Sequence, residues 1–167
     1  MQNLGLGSHG AQLDQFATRQ LADLGATVIK VESPGGDDTR TWVPPVKDGV
    51  ATYYMSINRN KKSIVLDFGK EEDLVLVREL VARADICVEN FKVGALAKYG
   101  LGYEQLHAKF PRLIYCSITG FGQTGPRAEQ PAYDFLIQAM GGLMSVTGER
   151  DDLPGGGPQK IGIPLID

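Results

Sequence analysis

An unusual carboxylate closes the chain. Asp167 ends the run Gly-Ile-Pro-Leu-Ile-Asp at residues 162–167, so an apolar stretch terminates on one acidic side chain. An apolar run of this kind normally continues into a strand or helix that buries it. We therefore expect the chain to be the first part of a longer protein, and we take Asp167 as a candidate catalytic carboxylate.

A glycine motif near the N-terminus is a second candidate site. Gly5, Gly7 and Gly10 have the G-x-G-x-x-G spacing of loops that hold a pyrophosphate at the start of a helix. Glu32 ends a predicted strand 22 residues after Gly10, where dinucleotide-binding domains place an acid for the ribose. The motif needs a strand in front of it, and we expect residues 1–4 to be too short to supply that central strand. An NAD-binding dehydrogenase fragment therefore stays an alternative.

The thiols and imidazoles are weaker candidates. Cys87 and Cys116 lie inside apolar runs, where cysteines usually pack as buried reduced thiols. His9 falls in the N-terminal segment and His107 on a short predicted helix, and the sequence suggests no acid or thiol beside either imidazole. We expect structural or exposed positions for all four side chains, and we expect no metal site.

Composition excludes several classes of protein. With 167 residues, 43% hydrophobic and 22% charged, the chain is typical of one globular domain with a core. The net charge is -3 and the basic residues are scattered, so we expect neither nucleic-acid nor membrane binding. No apolar stretch approaches the ~20 residues of a membrane span. We expect a cytoplasmic protein, with an organelle matrix as the alternative.

Helix-like and strand-like segments alternate along the chain. Helices are predicted at 16–25, 71–83 and 103–109, and strands at 27–32, 63–67, 86–89 and 113–118. Strands that alternate with helices indicate βαβ units and a mostly parallel sheet. The sequence therefore predicts an α/β fold.

Three segments break this alternation. Residues 33–62 and 119–131 are predicted to be irregular, and residues 149–160 form a polar, glycine-rich loop. Residues 134–146 are predicted to be helical, with an interruption at Gly141 and Gly142. Connections this long in a compact α/β domain are usually binding loops.

Five blocks of sequence carry a resemblance to a known family. They are LADLGATVIKVESPGGDDTR at 21–40, YYMSINRNKKSIVLDF at 53–68, ADICVENFKVGALAKYGLGYEQL at 84–106, PRLIYCSITGFGQTGP at 111–126 and PAYDFLIQAMGGLMSVTG at 131–148. In these blocks and their order the chain resembles the N-terminal part of the family III CoA-transferases. The resemblance covers nearly the whole chain but less than half of a typical member.

The resemblance implies a fold and a reaction. The fold is a Rossmann-like, mostly parallel sheet with flanking helices, the large domain of a homodimer whose two chains interlock like rings. The reaction moves coenzyme A from an acyl-CoA to a carboxylic acid acceptor. The family's nucleophile corresponds to Asp167, which attacks the thioester to give an acyl-aspartyl anhydride and then an aspartyl-CoA thioester. Such a site must orient a weak nucleophile and exclude water.

The resemblance also implies a set of coenzyme A contacts. The corresponding positions are Leu66, Asp67, Asn90, Phe91, Lys92, Lys98, Ala132 and Tyr133. Lysines suit the phosphates of coenzyme A as point charges. Coenzyme A is a substrate here, and we expect no permanently bound cofactor. Arg40 and the basic cluster at 58–62 are open to two interpretations, further phosphate contacts or a solvated loop.

The residue at position 133 distinguishes CoA-transferases from racemases of the same fold. The related α-methylacyl-CoA racemases share the fold but have a catalytic histidine where this chain has Tyr133, because proton exchange needs a second acid or base. A tyrosine with a reference pKa of about 10 fits that role poorly. The residue favours a transferase and leaves a racemase-type enzyme as an alternative. Short dicarboxylic acids such as succinate and glutarate are the substrates that the resemblance suggests.

The N-terminal residues depart from the family pattern. We divide the chain into a divergent segment, 1–15, and the N-terminal portion of the large domain, 16–167. Family members begin with a central strand and a turn that ends in A-G-P, whereas Asp14 and Gln15 stand where Gly-Pro is expected. Ser33 replaces an arginine that contacts coenzyme A in some relatives. A sheet without its central strand would expose apolar edges, so an inactive fragment is a further alternative.

Overall fold

The protein is described by a computed structural model that covers residues 2–6 and 12–163. By its internal contacts the chain divides into two compact units, Met1–Ile118 and Thr119–Asp167. The predictions for His9, for most of the glycine motif and for Asp167 lie outside the described residues.

The first unit contains seven strands and four helices among its described residues. In chain order they are β1 Gln2–Leu6, α1 Gln12–Asp23, β2 Thr27–Glu32, β3 Val46–Lys47, β4 Val50–Ala51, α2 Thr52–Asn58, β5 Lys62–Val65, α3 Glu71–Arg83, β6 Ile86–Glu89, α4 Tyr103–Lys109 and β7 Ile114–Ser117. Short 3-10 turns cover Asp38–Thr41 and Ala97–Tyr99. The second unit has α5 Asp134–Met140 and a 3-10 turn at Leu143–Val146.

Five strands form one parallel sheet in the order β5-β2-β1-β6-β7. Counted along the chain, this is the order third, second, first, fourth, fifth, as in a Rossmann fold. Connections between parallel strands of one sheet are right-handed as a rule, which places α1 and α3 on opposite faces. The predicted α/β fold with a mostly parallel sheet is confirmed.

The prediction that the first residues cannot supply the central strand is wrong. Gln2–Leu6 forms β1 in the middle of the sheet, where Leu6 lies opposite both Val31 and Glu89. A central parallel strand is held by backbone hydrogen bonds from two neighbours, so pairing overrides a local sequence with few β-branched residues. The division into 1–15 and 16–167 stays a prediction.

Most of the predicted elements agree with the structure. The bounds of β2, α3, β6 and α4 are confirmed, and those of α1, β5 and β7 differ by a few residues at their ends. Helix α3 buries Leu74, Val77 and Val81 on one face, and three acids in its first turn complement the helix dipole. Helix α5 ends at Met140, because Gly142 takes a left-handed conformation with φ 80°.

Side chains on β2 alternate between the two faces of the sheet. Ile29 and Val31 pack in the apolar core that includes α3 and α4. Val28, Lys30 and Glu32 point to the other face, and none is more than 4% exposed. The sheet therefore buries two charged groups on the face covered by α1 and α2, and each needs partners there.

Glu32 obtains its partners from the segment predicted to be irregular. Its carboxylate accepts hydrogen bonds from Arg40 at 2.9 and 3.0 Å, from the Tyr54 hydroxyl at 2.9 Å and from Ser63 at 2.8 Å. The Arg40 guanidinium lies 3.9 Å from the centre of the Tyr54 ring. Burial pushes the pKa of Glu32 upward, but the hydrogen bonds, led by that from Arg40, bring it below its ordinary value.

Lys30 is neutralised by the same segment. Its ammonium pairs with Asp37 and donates to Asn58 Oδ1 at 3.1 Å. Gln15 of α1 joins this network, since it donates to Asp37 at 3.1 Å and accepts from Asn58 at 3.3 Å. Helix α2 was not predicted from the sequence, because its seven residues have no capping side chain and so short a helix depends on tertiary contacts, here with α1, β4 and Lys30.

Asp14 adds a further buried charge beside this network. It is 7% exposed, and among the described residues its Oδ1 has no hydrogen-bond partner. Burial raises the pKa of Asp14 to about 6. Lys61 donates to the carbonyl oxygen of Gln15 at 2.8 Å, and burial, followed by repulsion from Lys30, lowers its pKa to about 8.

We predict that Glu32→Gln destabilises the protein by about 2–4 kcal/mol, because a neutral amide leaves Arg40 without its buried carboxylate. The measurement is urea unfolding followed by circular dichroism. Glu71→Gln is the matched control, since the Glu71–Arg78 pair has a Glu71 side chain that is 71% exposed and should cost less than about 1 kcal/mol. Equal losses in the two variants would contradict the assigned role of Glu32.

We predict that Asp14→Asn stabilises the protein above pH 6. The folded-state pKa of about 6 lies above the ordinary value of 3.8. The favourable contribution of the protonated acid is therefore complete below pH 3.8 and lost as the pH rises through about 6. The difference in the free energy of unfolding between Asp14→Asn and the parent protein should therefore increase over that pH range towards roughly 3 kcal/mol. Thermal unfolding at several pH values measures it.

Asp38→Asn is the control for this series, because Asp38 is exposed. A difference in unfolding free energy between Asp14→Asn and its parent that is the same at every pH would show that the pKa of Asp14 does not change on unfolding.

Candidate functional site

The carboxyl ends of the five parallel strands lie along one edge of the sheet. Chain order reverses between β1 and β6, because β2 and β5 lie on one side of β1 and β6 and β7 on the other. Ligands of open α/β sheets bind outside the carboxyl ends of the strands at such a reversal. Asn90 directly follows β6, and Leu66 directly follows β5. Two groups of sequence-predicted contacts therefore lie at this edge.

Three aromatic rings bring these two groups together. Strands β5 and β6 are separated by β2 and β1 in the sheet, yet the rings of Phe68 and Phe91 stack with centroids 6.2 Å apart. Phe68 also meets Tyr99 edge-on at 5.5 Å. The turn that carries Lys98 thus packs against the loop after β5, which in turn contacts the loop after β6 through Phe91. Phe68 and Tyr99 were not predicted as site residues, although each directly follows a predicted contact.

Leu66 and Asp67 have little side-chain freedom to bind a ligand. The Leu66 side chain is 5% exposed in the core, and its N–H donates to the Glu32 carbonyl at 3.0 Å. The Asp67 N–H donates to Asp73 at 2.8 Å, and Asp67 Oδ1 accepts from Gly69 at 2.8 Å. This loop therefore offers the Leu66 carbonyl and Asp67 Oδ2 as contacts.

The start of α3, beside this loop, is unsuited to a phosphate. Its first turn carries Glu71, Glu72 and Asp73, whose charges oppose an anion at the helix N-terminus. The sequence-predicted cations at this edge are Lys92 and Lys98, both exposed. Lys98 Nζ lies 4.7 Å from the centre of the Tyr99 ring. Both ammonium groups are therefore accessible to an anion.

Asn90 and Glu89 shape the turn after β6. The Asn90 amide donates to the carbonyl of Ile118 at 3.3 Å, which ties the ends of β6 and β7 together. Glu89 is 6% exposed, and its carboxylate accepts from the Phe91 N–H at 2.7 Å. Asn90 Oδ1 is left as an acceptor for a ligand on a turn whose backbone is fixed.

The thiols near this edge are poor nucleophiles. Burial, with a smaller effect of Glu89, raises the pKa of Cys87 to about 12. The same two causes raise the pKa of Cys116. A thiol with a raised pKa carries little thiolate at neutral pH. Both positions agree with the predicted structural role of the cysteines.

The basic cluster at 58–62 has a structural role. Arg59 pairs with Asp23 at 2.6 Å, and Asn60 donates to the same carboxylate at 2.8 Å. Together with Lys61, these contacts tie the loop before β5 to α1. Arg40 is likewise committed to Glu32. The sequence left open further phosphate contacts or a solvated loop, and the structure instead shows that these side chains make contacts within the fold.

His107 lies on α4, where its ring stacks on Tyr103 with centroids 5.3 Å apart. In the described ranges no group of three or more His, Cys, Asp or Glu side chains could hold a metal ion. No helix within residues 2–6 and 12–163 is long and apolar enough to cross a bilayer.

Ala132 and Tyr133 lie in the second unit, immediately before α5. Ala132 packs against the backbone of Gly120 so closely that a Cβ at Gly120 would lie 1.9 Å from the Ala132 Cβ. Tyr133 is 73% exposed, which leaves its ring accessible to a ligand. The backbone that carries Ala132 and Tyr133 can thus take this position only because residue 120 is a glycine.

Helix α5 also holds the chain that leads to Asp167. Gln138 is fully buried, its Oε1 accepts from the N–H of Ile161 at 3.1 Å, and its Nε2 donates to the carbonyl of Ile163 at 3.4 Å. The same Nε2 donates to Asp134. Residues 161–163 are therefore fixed to the helix that directly follows Tyr133.

The sheet supplies the context that the glycine motif needs. Strand β1 precedes Gly7, α1 follows, and the parallel neighbour β2 ends at Glu32. The motif therefore does not lack the strand that it needs in front of it. The Glu32 side chain, however, is only 1% exposed and carries four hydrogen bonds from within the unit. Its carboxylate is not available to a ribose, which disfavours the dehydrogenase alternative.

Known proteins resemble the chain over most of its length. The family model of CoA-transferase family III matches residues 9–167. A succinate–glutarate CoA-transferase of Agrobacterium fabrum is 53% identical over 91% of this chain and 39% of its own length. An acetyl-CoA:oxalate CoA-transferase of Acetobacter aceti is 49% identical over 88% of this chain and 37% of its own length.

A solved structure gives the same result. The crystal structure of a CAIB/BAIF family protein from Brucella suis has a TM-score of 0.89 and 54% identity, and it covers 98% of this chain and 43% of that protein. The chain thus spans roughly two fifths of the length of these relatives. Sequence and fold are both similar over this span, and the chain belongs to CoA-transferase family III.

Proposed function

We propose that the protein transfers coenzyme A between carboxylic acids, with Asp167 as the nucleophile. One observation carries this proposal beyond family membership. The loops after β5 and β6 and the turn of Lys98 converge through the rings of Phe68, Phe91 and Tyr99 at the edge where such sheets bind ligands. Asp167 itself is assigned by its correspondence to the family's nucleophile.

The reaction needs a carboxylate and no external base. The Asp167 carboxylate would attack the thioester carbonyl, which forms an acyl-aspartyl anhydride and releases the coenzyme A thiolate. The thiolate would attack the aspartyl carbonyl, which gives an aspartyl-CoA thioester and the free donor acid. The acceptor carboxylate would reverse these two steps in turn. Each step exchanges one acyl bond for another, and every intermediate is open to hydrolysis if water enters.

In this proposal the residues at the carboxyl edge bind and orient coenzyme A. Lys92 and Lys98 would meet its phosphates, and Asn90 Oδ1 and the Leu66 carbonyl would accept hydrogen bonds from its amide or adenine groups. Binding energy from these remote groups would hold the thioester against the weak nucleophile. Tyr133 and Ala132 are proposed contacts from the second unit.

The donor and acceptor acids are proposed by class. One relative is named for succinate and glutarate, which are short dicarboxylic acids, and another for acetyl-CoA and the dicarboxylic acid oxalate. We propose short dicarboxylic acids such as succinate and glutarate here. A cytoplasmic homodimer with interlocked chains belongs to this proposal for the intact protein.

The alternatives differ in what they require. A racemase needs a second proton-transfer group, and Tyr133 stands where the racemases place a histidine. The inactive-fragment alternative rested in part on a missing central strand, and β1 supplies that strand. The racemase alternative has no observation of its own in its favour.

We predict that Asp167→Ala lowers transfer by at least about a thousandfold, because no other group is proposed to carry the acyl intermediate. The measurement is formation of acceptor acyl-CoA by the intact protein. Hydroxylamine added during turnover should leave a hydroxamate on Asp167, detected by mass spectrometry of peptides. Asp151→Ala, which removes an exposed acid of the 149–160 loop, is the control. Full transfer in Asp167→Ala would refute the assignment.

We predict that Lys92→Ala raises KM for acyl-CoA about tenfold with little change in kcat, as expected for the loss of one charge-assisted hydrogen bond. Steady-state kinetics at several salt concentrations measures this effect, which should shrink as salt screens the phosphate. Lys47→Ala removes an exposed lysine from the β3–β4 hairpin and serves as control. An unchanged KM in Lys92→Ala would remove Lys92 from the site.

A further inference from the structure

The backbone that carries Lys98 is firmly anchored. Ala97–Tyr99 form one 3-10 turn, flanked by Leu96 at 3% and Leu101 at 0% exposure. Leu101 donates from its N–H to the carbonyl of Leu96 at 3.1 Å, which closes the turn. The Lys98 backbone is therefore fixed, while its side chain is exposed. A lysine side chain on a fixed backbone still loses rotamer entropy when one position is selected.

The Tyr99 ring is fixed as well. It packs edge-on against Phe68 at 5.5 Å, and the Tyr99 carbonyl accepts from Arg78 at 3.2 Å. The Lys98 ammonium lies 4.7 Å from the centre of this ring. Phe68 thus holds the Tyr99 ring in place, and the electron-rich face of the ring attracts the Lys98 ammonium.

Lys98 has an aromatic ring as its partner, whereas other basic residues of the first unit have a carboxylate. Lys30, Arg40 and Arg59 each pair with a carboxylate that cancels their charge. Within the described part of the chain Lys98 forms no ion pair, and its ammonium lies over the Tyr99 ring. An aromatic ring attracts an ammonium without neutralising it, so the full positive charge stays available to an anion.

We infer that Tyr99 is a positioning residue that holds the Lys98 ammonium for a phosphate group of acyl-CoA. This inference rests on the proposed function, since it takes Lys98 as a phosphate contact. Tyr99 itself need not touch the substrate. Its ring preselects the lysine position beside the loop after β5, and the phosphate then meets a cation that is already in place.

The test compares two donors in the intact protein. Acyl-CoA carries the phosphates, whereas acyl-pantetheine has the same thioester without them. Tyr99→Leu should raise KM for acyl-CoA about threefold, the effect expected of an exposed cation–π contact, and leave kcat unchanged. KM for acyl-pantetheine should stay the same. Tyr99→Phe keeps the ring face and should behave as the parent.

A double-mutant cycle with Lys98→Ala completes the experiment. In the Lys98→Ala background, Tyr99→Leu should have no further effect on KM for acyl-CoA. Two results would overturn the inference: an equal effect of Tyr99→Leu with and without Lys98, or an equal effect on both donors, since either points to packing with Phe68 alone. Failure of the proposed function gives a different result, because the parent protein would then use neither donor.

Discussion

The buried carboxylate of Glu32 is the interaction on which the first unit depends. An acid at the end of a central strand cannot stay charged in the interior without donors, and the neighbouring strands provide only one, from Ser63. The rest come from the long segment after β2, which folds back so that Arg40 and Tyr54 reach the carboxylate. Lys30, two residues earlier on the same face, imposes a similar requirement through Asp37.

These buried charges also decide where a ligand can bind. The Rossmann order of strands usually offers two recognition features, a glycine turn after β1 and an acid after β2. In this chain the acid is enclosed by protein groups, so it cannot serve as a ribose contact. The proposed coenzyme A contacts instead follow β6, at Asn90 and Lys92, and β5, at Leu66.

The sequence predicted the parts of the fold that have a clear local period. Helix α3 and strands β2 and β6 have the predicted bounds, because their apolar residues repeat at helical or strand spacing. Strand β1 and helix α2 were missed, since both are short and acquire their structure from neighbours distant in sequence. Their stability resides in pairing with β2 and β6 and in the polar network around Lys30, which no local pattern reveals.

The candidate site was accessible to sequence analysis only through family resemblance. Resemblance named Asn90, Lys92 and Lys98, but it gave no reason for their convergence. That reason is the contact of Phe68 with Phe91 and Tyr99, which joins residues more than 20 positions apart. Aromatic residues are common in cores, so their types alone do not distinguish a ring that organises a site from one that fills space.

The buried amide of Gln138 can form its hydrogen bonds in only one orientation. Its amide is asymmetric, with the nitrogen facing Asp134 and the carbonyl oxygen facing the N–H of Ile161. A half-turn of the amide would set oxygen against a carboxylate and nitrogen against an N–H, so only one orientation is compatible with both neighbours. The amide therefore pairs with the chain only where a backbone N–H meets its oxygen and a backbone carbonyl meets its nitrogen, as at Ile161 and Ile163. One buried side chain thus sets the polarity of the backbone groups that can pack against α5.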